Sequence, residues 1–201
     1  MSPKSAINFY NHDNCPYAHR VATTLKELGI VPDETFEIDL DNKPEWYFKI
    51  NPQGKVPSLK EGDTILIESL VIVEYLLEKY GKDQGCFRRG PSPARPVAYL
   101  CEKEHEAFLK GLREINDALV KQSNGPYFLG DQFTYADIAA APFFVRYQLL
   151  QEVGFHVPET KEYERVNAYA QTVISHPSVK ATTPSKERLL DLVRVFKNLN
   201  L

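Results

Sequence analysis

Six glycines and prolines crowd into residues 81–96 (Gly81, Gly85, Gly90, Pro91, Pro93 and Pro96), and the hydrophobic period of the chain changes across them. Such clusters interrupt regular structure, so the stretch reads as a linker. Before it, short strand-like and helix-like runs alternate. Ala6–Tyr10 is an apolar strand, Tyr17–Leu28 carries Val21, Leu25 and Leu28 at helical spacing, and Thr35–Leu40 alternates with strand period. Pro44–Ile50 reads as a short helix opened by its proline. Val56–Leu59 and Thr64–Ile67 form a hairpin around Glu61-Gly62-Asp63, and Ser69–Tyr80 is a helix. Beyond the linker only helical patterns occur: Val97–Gln122, Tyr135–Gln151, Glu159–Ser175 and Ser185–Asn198. The expected architecture is an α/β domain over 1–80 with the order βαβαββα, a linker over 81–96, and an all-helical domain over 97–201.

Charge and composition narrow the function classes. Residues 1–80 hold 8 Lys and Arg against 13 Asp and Glu; the whole chain has a net charge of −3. That balance does not suit a nucleic-acid partner. No apolar run approaches the roughly 20 residues that span a bilayer, and the N-terminus has no secretory pattern, so a soluble cytoplasmic protein without membrane contact is expected. Three cysteines, Cys15, Cys86 and Cys101, make no disulfide framework and fit a reducing compartment. No CxxC pair or His/Cys cluster has zinc-ligand spacing, and no metal is expected.

Chemistry concentrates at Asn14-Cys15-Pro16-Tyr17-Ala18-His19-Arg20. Cys15 follows the first strand and a polar loop and precedes a proline-started helix. A helix N-terminus favours a thiolate, and this position should leave the sulfur partly exposed. His19, one turn on, either helps to stabilise that thiolate as an imidazolium or points to solvent. Arg20 reads as a structural ion-pairing residue. Cys-Pro-Tyr-Ala is similar to the Cys-Pro-Tyr-Cys of glutaredoxins, with Ala18 replacing the second cysteine. Without a resolving thiol, Cys15 needs an external one, and glutathione is the natural candidate. The first domain is therefore expected to be thioredoxin-like.

The same motif resembles the Cys-Pro-Phe-Ala-x-Arg pattern of omega-class cytosolic glutathione transferases. Asn42-Lys43-Pro44-Glu45-Trp46-Tyr47-Phe48 resembles the omega segment before the third strand. Asn51-Pro52-Gln53-Gly54-Lys55-Val56-Pro57-Ser58-Leu59 resembles the transferase Val-Pro element, and Ile67-Glu68-Ser69 the Glu-Ser pair opening the next helix. Gly130–Ala139 resembles the signature of the helical domain, with Thr134-x-x-Asp137 as a capping box.

The resemblance implies an enzyme in which Cys15 is catalytic. Tyr17, Lys43, Val56, Pro57, Glu68 and Ser69 would bind the co-substrate glutathione. Val56, before a cis Pro57, would pair with the tripeptide backbone. Ser69, read from sequence as a helix N-cap, would hold the γ-glutamyl carboxylate, Glu68 the ammonium and Lys43 the glycyl carboxylate. Tyr99, Lys103 and Phe108 in the helical domain mark a possible second-substrate site, or an ordinary helix face. The implied activity is glutathione-dependent thiol transfer, deglutathionylation and dehydroascorbate reduction by a homodimer. The alternatives are a non-enzymatic, ligand-binding or chloride-channel-like member of the superfamily, and a dehalogenase or isomerase of the same fold.

Overall fold

The computed structural model describes residues 6–81, 102–122, 125–152 and 157–190, without the side chains of 102–105, 107 and 150–152. The chain divides into two compact units, Met1–Asp83 and Gln84–Leu201. The expected linker, apart from Gly81, lies outside the described residues, as do Cys86, Tyr99 and Cys101.

The first unit runs β1 (Ile7–Asn11), α1 (Pro16–Glu27), β2 (Glu34–Glu37), a 3-10 turn (Glu45–Lys49), β3 (Ser58–Glu61), β4 (Thr64–Ile67) and α2 (Ser69–Tyr80). Its sheet has the order β2-β1-β3-β4; β1 pairs parallel with β2 and antiparallel with β3, which pairs antiparallel with β4. This is the thioredoxin-like arrangement. Successive strand residues face opposite sides. On one side Ile7, Phe9 and Leu59 are buried, and the same unit buries Val21 and Leu25 of α1 and Ile72 and Leu76 of α2. On the other side Tyr10 stacks on its register partner Phe36 at 5.0 Å, with Trp46 and Tyr47 beside them.

Local chemistry moved several boundaries. The segment expected as a second helix is only the 3-10 turn Glu45–Lys49, closed by the three-residue bond from Tyr47 N–H to the Pro44 carbonyl at 2.9 Å. Pro52 follows directly, and a residue before proline resists helical geometry, so the turn does not lengthen. Strand β2 stops at Glu37 rather than Leu40, because the Asp39 carboxylate accepts from the N–H groups of Asp41 and Asn42 and turns the chain. Those two bonds also hold Asp39 below the ordinary carboxylate range. Strand β3 begins at Ser58 and runs to Glu61 rather than spanning Val56–Leu59; Pro57 has no N–H to give a ladder.

The second unit contains α3 (Glu102–Gln122), α4 (Tyr135–Glu152), α5 (Lys161–Ser175) and α6 (Pro177–Thr182). Helix α5 is central, packing on α3, α4 and α6. Its Tyr163, Val166, Tyr169 and Val173 are buried, and the backbone N–H of Val166 donates to Asn116 Oδ1 of α3 at 3.0 Å. The reach-back half of the capping box is formed: Asp137 Oδ2 accepts from Thr134 N–H at 2.7 Å and also from Thr134 Oγ1 at 2.8 Å. Helix α6 was not anticipated. It opens on Pro177 immediately after α5 ends, so one helical pattern runs into the next. The expected helix at Ser185–Asn198 is helical over residues 186–190, with Ser185 just before it, and lies outside the described residues from 191 on.

Candidate active site

Cys15 is the N-cap of α1, with Pro16 as the first helical residue. Proline is pre-set for that position and lacks the N–H a helix start would leave unpaired. The loop before it is fastened on both sides. Glu37 of β2 accepts from Asn11 Nδ2 at 2.9 Å and from the Asp13 backbone at 2.7 Å. The Cys15 N–H donates to the His12 carbonyl at 2.9 Å. Cys15 is in no disulfide among the described residues and is partly exposed.

Three of the residues singled out from sequence meet at this point. The Cys15 Sγ lies 3.8 Å from the Val56 carbonyl oxygen, and the Val56–Pro57 peptide is cis. Val56 and Pro57 are both buried. Gly54, two residues earlier, has φ +63°, and a Cβ there would meet Phe48 Cε1 at 2.8 Å and Lys43 Cδ at 3.2 Å. Only glycine fits under these side chains, and Lys43 itself is exposed over the loop.

Ser69 and Tyr17 are joined through Arg20. The buried Arg20 lies with Nη1 3.3 Å from Ser69 Oγ and its guanidinium 5.4 Å from the centroid of the Tyr17 ring. His19 is buried, not turned to solvent. The N-cap of α2 is Glu68, not Ser69, which is the first helical residue. Glu68 is exposed with φ 71°, a left-handed conformation that non-glycine residues rarely adopt. Glu68 makes the turn from β4 into α2, and Ser69 is buried with its hydroxyl at Arg20 rather than capping the helix. Two helix N-termini and a buried guanidinium thus serve one region of the first unit, a setting that favours anionic groups.

The expected second-substrate residues do not assemble. Tyr99 lies outside the described residues, Lys103 is described only in its backbone within α3, and Phe108 is buried with its ring 5.2 Å from that of Tyr147. Sequence reading also passed over Tyr47, Asn51 and Ser58, which are buried together behind Val56. Their one sequence signal is that polar-capable residues bracket an apolar Val-Pro pair. Among the described residues no helix is long and apolar enough to cross a membrane, and no cluster of His, Cys, Asp and Glu could hold a metal ion.

Two family models match the chain: glutathione S-transferase, N-terminal domain, over residues 9–85, and glutathione S-transferase, C-terminal domain, over residues 101–172. A probable cytosolic glutathione S-transferase, DHAR1, of Oryza sativa subsp. japonica is 31% identical over 195 residues, covering 88% of this chain and 87% of its own. Glutathione S-transferase omega-1 of Sus scrofa is 31% identical over 183 residues, covering 79% and 75%. Among solved structures, glutathione transferase Omega 3C of Trametes versicolor superposes with a TM-score of 0.78 at 25% identity, covering 99% of this chain and 93% of that one. With a thioredoxin-like first unit, a helical second unit and family matches in both, this chain belongs to the glutathione S-transferase family.

Proposed function

We propose that the chain is an omega-like transferase that moves glutathionyl groups through a mixed disulfide on Cys15. The observation that carries this reading is a partly exposed thiol at the first turn of α1, 3.8 Å from the main chain of Val56. A serine or tyrosine at this place would activate the thiol of glutathione by a hydrogen bond; a cysteine reacts covalently. The omega and DHAR relatives at about 31% identity support the subtype.

The Cys15 thiolate attacks the glutathionyl sulfur of a mixed disulfide. The Cys15–glutathione disulfide forms, the old S–S bond breaks, and the departing thiolate takes up a proton. A second glutathione thiolate then attacks the glutathionyl sulfur, releasing oxidised glutathione and regenerating Cys15. Reduction of dehydroascorbate takes two electrons and two protons from two glutathiones, which leave as the same disulfide. Val56, Pro57 and Tyr17 border the tripeptide in this reading; Ser69 and the N-terminus of α2 receive its γ-glutamyl carboxylate, Glu68 the ammonium and Lys43 the glycyl carboxylate.

Glutathione-dependent reduction of hydroxyethyl disulfide tests the proposal. Cys15→Ser should lower turnover by at least about a thousandfold, the scale on which removal of a nucleophile acts. Equal turnover in the variant, or none in the native chain, overturns it. A cytoplasmic homodimer belongs to the same reading. Ile65 of β4 and Val71 of α2, 40% and 50% exposed, offer apolar surface to a second copy, and a monomeric mass by light scattering rules that assembly out.

A further inference from the structure

Behind the Val56–Pro57 pair lies a closed ring of hydrogen bonds. Tyr47 Oη is 2.7 Å from the Lys55 carbonyl oxygen and 3.0 Å from Ser58 Oγ. Asn51 Nδ2 donates to the same carbonyl at 2.8 Å and to Ser58 Oγ at 3.2 Å. The protons can be assigned in one consistent way. The phenol of Tyr47 has a single hydrogen, given to Lys55, so Ser58 must donate to Tyr47. The amide of Asn51 gives one hydrogen to Lys55 and the other to Ser58. Asn51 Oδ1 accepts from the Gln53 backbone at 3.0 Å, and the Asn51 carbonyl from Gly54 at 2.8 Å. Tyr47, Asn51 and Ser58 are at most 2% exposed, and the two bonds to Ser58 Oγ are fully buried, where a missing partner is costly. Burial also pushes the Tyr47 hydroxyl above its ordinary pKa, keeping its proton in place.

The ring grips the residue before Val56 and the residue after Pro57. Its effect on Val56 follows from peptide geometry. The Lys55 carbonyl and the Val56 N–H belong to one planar trans unit and point in opposite directions. Two donors that draw the Lys55 carbonyl inward therefore aim the Val56 N–H outward. Ser58, the first residue of β3, ties the other side to the sheet through its register with Tyr10.

We propose that Tyr47, Asn51 and Ser58 are positioning residues that set the direction of the Val56 main chain for pairing with the peptide backbone of the thiol substrate. The inference rests on the reading of Cys15 and Val56 as a glutathione site. It assigns a role to three residues outside the glutathione-binding set expected from the sequence. A thiol with a peptide backbone should depend on the ring; a thiol without one should not.

Tyr47→Phe keeps the ring's packing on Tyr10 and Trp46 and deletes both bonds of the hydroxyl. In the full-length chain, the variant should raise the KM for glutathione about fivefold, the effect of roughly one net hydrogen bond, at nearly unchanged kcat. With dehydroascorbate as the acceptor and 2-mercaptoethanol in place of glutathione as the reducing thiol, its rate should stay within about twofold of the native one, since only one lost bond's worth of affinity is at stake and that thiol cannot use it. Equal weakening with both thiols, or an unchanged KM for glutathione, overturns the inference while a native chain that turns over glutathione leaves the proposed function standing. A native chain with no glutathione-dependent turnover overturns both. If Tyr47→Phe does not fold, Ser58→Ala, which deletes two bonds of the same ring, must show the same split between the two thiols.

Discussion

Each unit buries a carboxylate that gathers several donors, and the two are held in opposite ways. Glu61 closes β3 in the first unit. Its oxygens accept from Lys79 Nζ at 2.7 Å, Tyr75 Oη at 2.7 Å and Tyr80 Oη at 2.5 Å. Asp137 opens α4 in the second. It accepts from the backbones of Phe128 and Thr134, from the Thr134 hydroxyl and from Tyr169 Oη at 2.9 Å. Burial raises the pKa of both groups. For Glu61 the bonds from Lys79, Tyr80 and Tyr75 outweigh it, and its pKa falls below the ordinary value; for Asp137 burial wins. The number of donors does not explain this, since Asp137 has more. Asp137 is the more deeply buried and has only neutral donors, whereas Glu61 is nearer water and one of its donors is an ammonium, so depth of burial and the Lys79 bond, not a count of bonds, decide the sign. The partners respond in kind: burial, then the bond to Glu61, pushes Tyr80 up to about 12, and burial, then the charge on Asp137, raises Tyr169.

Removing Asp137 should have the largest effect on this contrast. Asp137→Ala strips four donors of their acceptor inside the second unit, two of them backbone N–H groups. A loss of about 3 kcal/mol of stability is expected, read as a lower urea midpoint at unchanged slope. A change below about 0.5 kcal/mol would mean that the turn at Phe128–Thr134 does not depend on the carboxylate.

Lys79→Met should cost less, about 1 kcal/mol, because Lys79 is 44% exposed and water screens its attraction, while two phenols still serve Glu61. Its sharper effect is on that carboxylate. Without the ammonium Glu61 loses the bond that lowers its pKa most, and that pKa should rise, followed by NMR titration of the carboxyl carbon. A pKa that stays low in the variant breaks the explanation offered for the contrast.

The smallest expected effect is the acid response of the native chain. Glu61, with a folded pKa below its unfolded value near 4.5, contributes stability above that value and loses it as the pH falls through the folded one. Asp137, with a folded pKa above 3.8, contributes stability below that value and loses it as the pH rises through the folded one. Acidification below about 4.5 should therefore weaken hydrogen-exchange protection in β3 and α2 relative to α4, after correction for intrinsic rates. Parallel weakening of both units would contradict the opposed shifts.

Much of the fold was legible because it rests on local patterns. Strand β4 and helix α2 have the bounds their periodicity predicts, and the start of α4 is written in Thr134-x-x-Asp137. Expectations failed where a neighbour distant in sequence took over a residue. Ser69 reads as an N-cap by type, but Arg20, 49 positions away, holds its hydroxyl, and Glu68 takes the capping place at φ 71°. Pro44–Ile50 reads as a short helix, but that spacing does not say which ring of Trp46-Tyr47-Phe48 goes inward. In the structure Tyr47 goes inward and its neighbours stay exposed, because Tyr10 and Ser58 lie under it.

By itself the sequence determined the two-part architecture, the thiol at the start of a helix, the missing second thiol at Ala18 and the likeness to a family. Those properties depend on residue type and short-range spacing, which a linear chain displays in full. Only the tertiary structure decided which groups face one another: the Val56 carbonyl 3.8 Å from Cys15, Arg20 behind Ser69, and the ring of Tyr47, Asn51 and Ser58 behind the Val56 main chain. The direction of a buried polar group is set by partners that the chain brings back from elsewhere, and desolvation makes each such pairing all but obligatory once the sheet has closed.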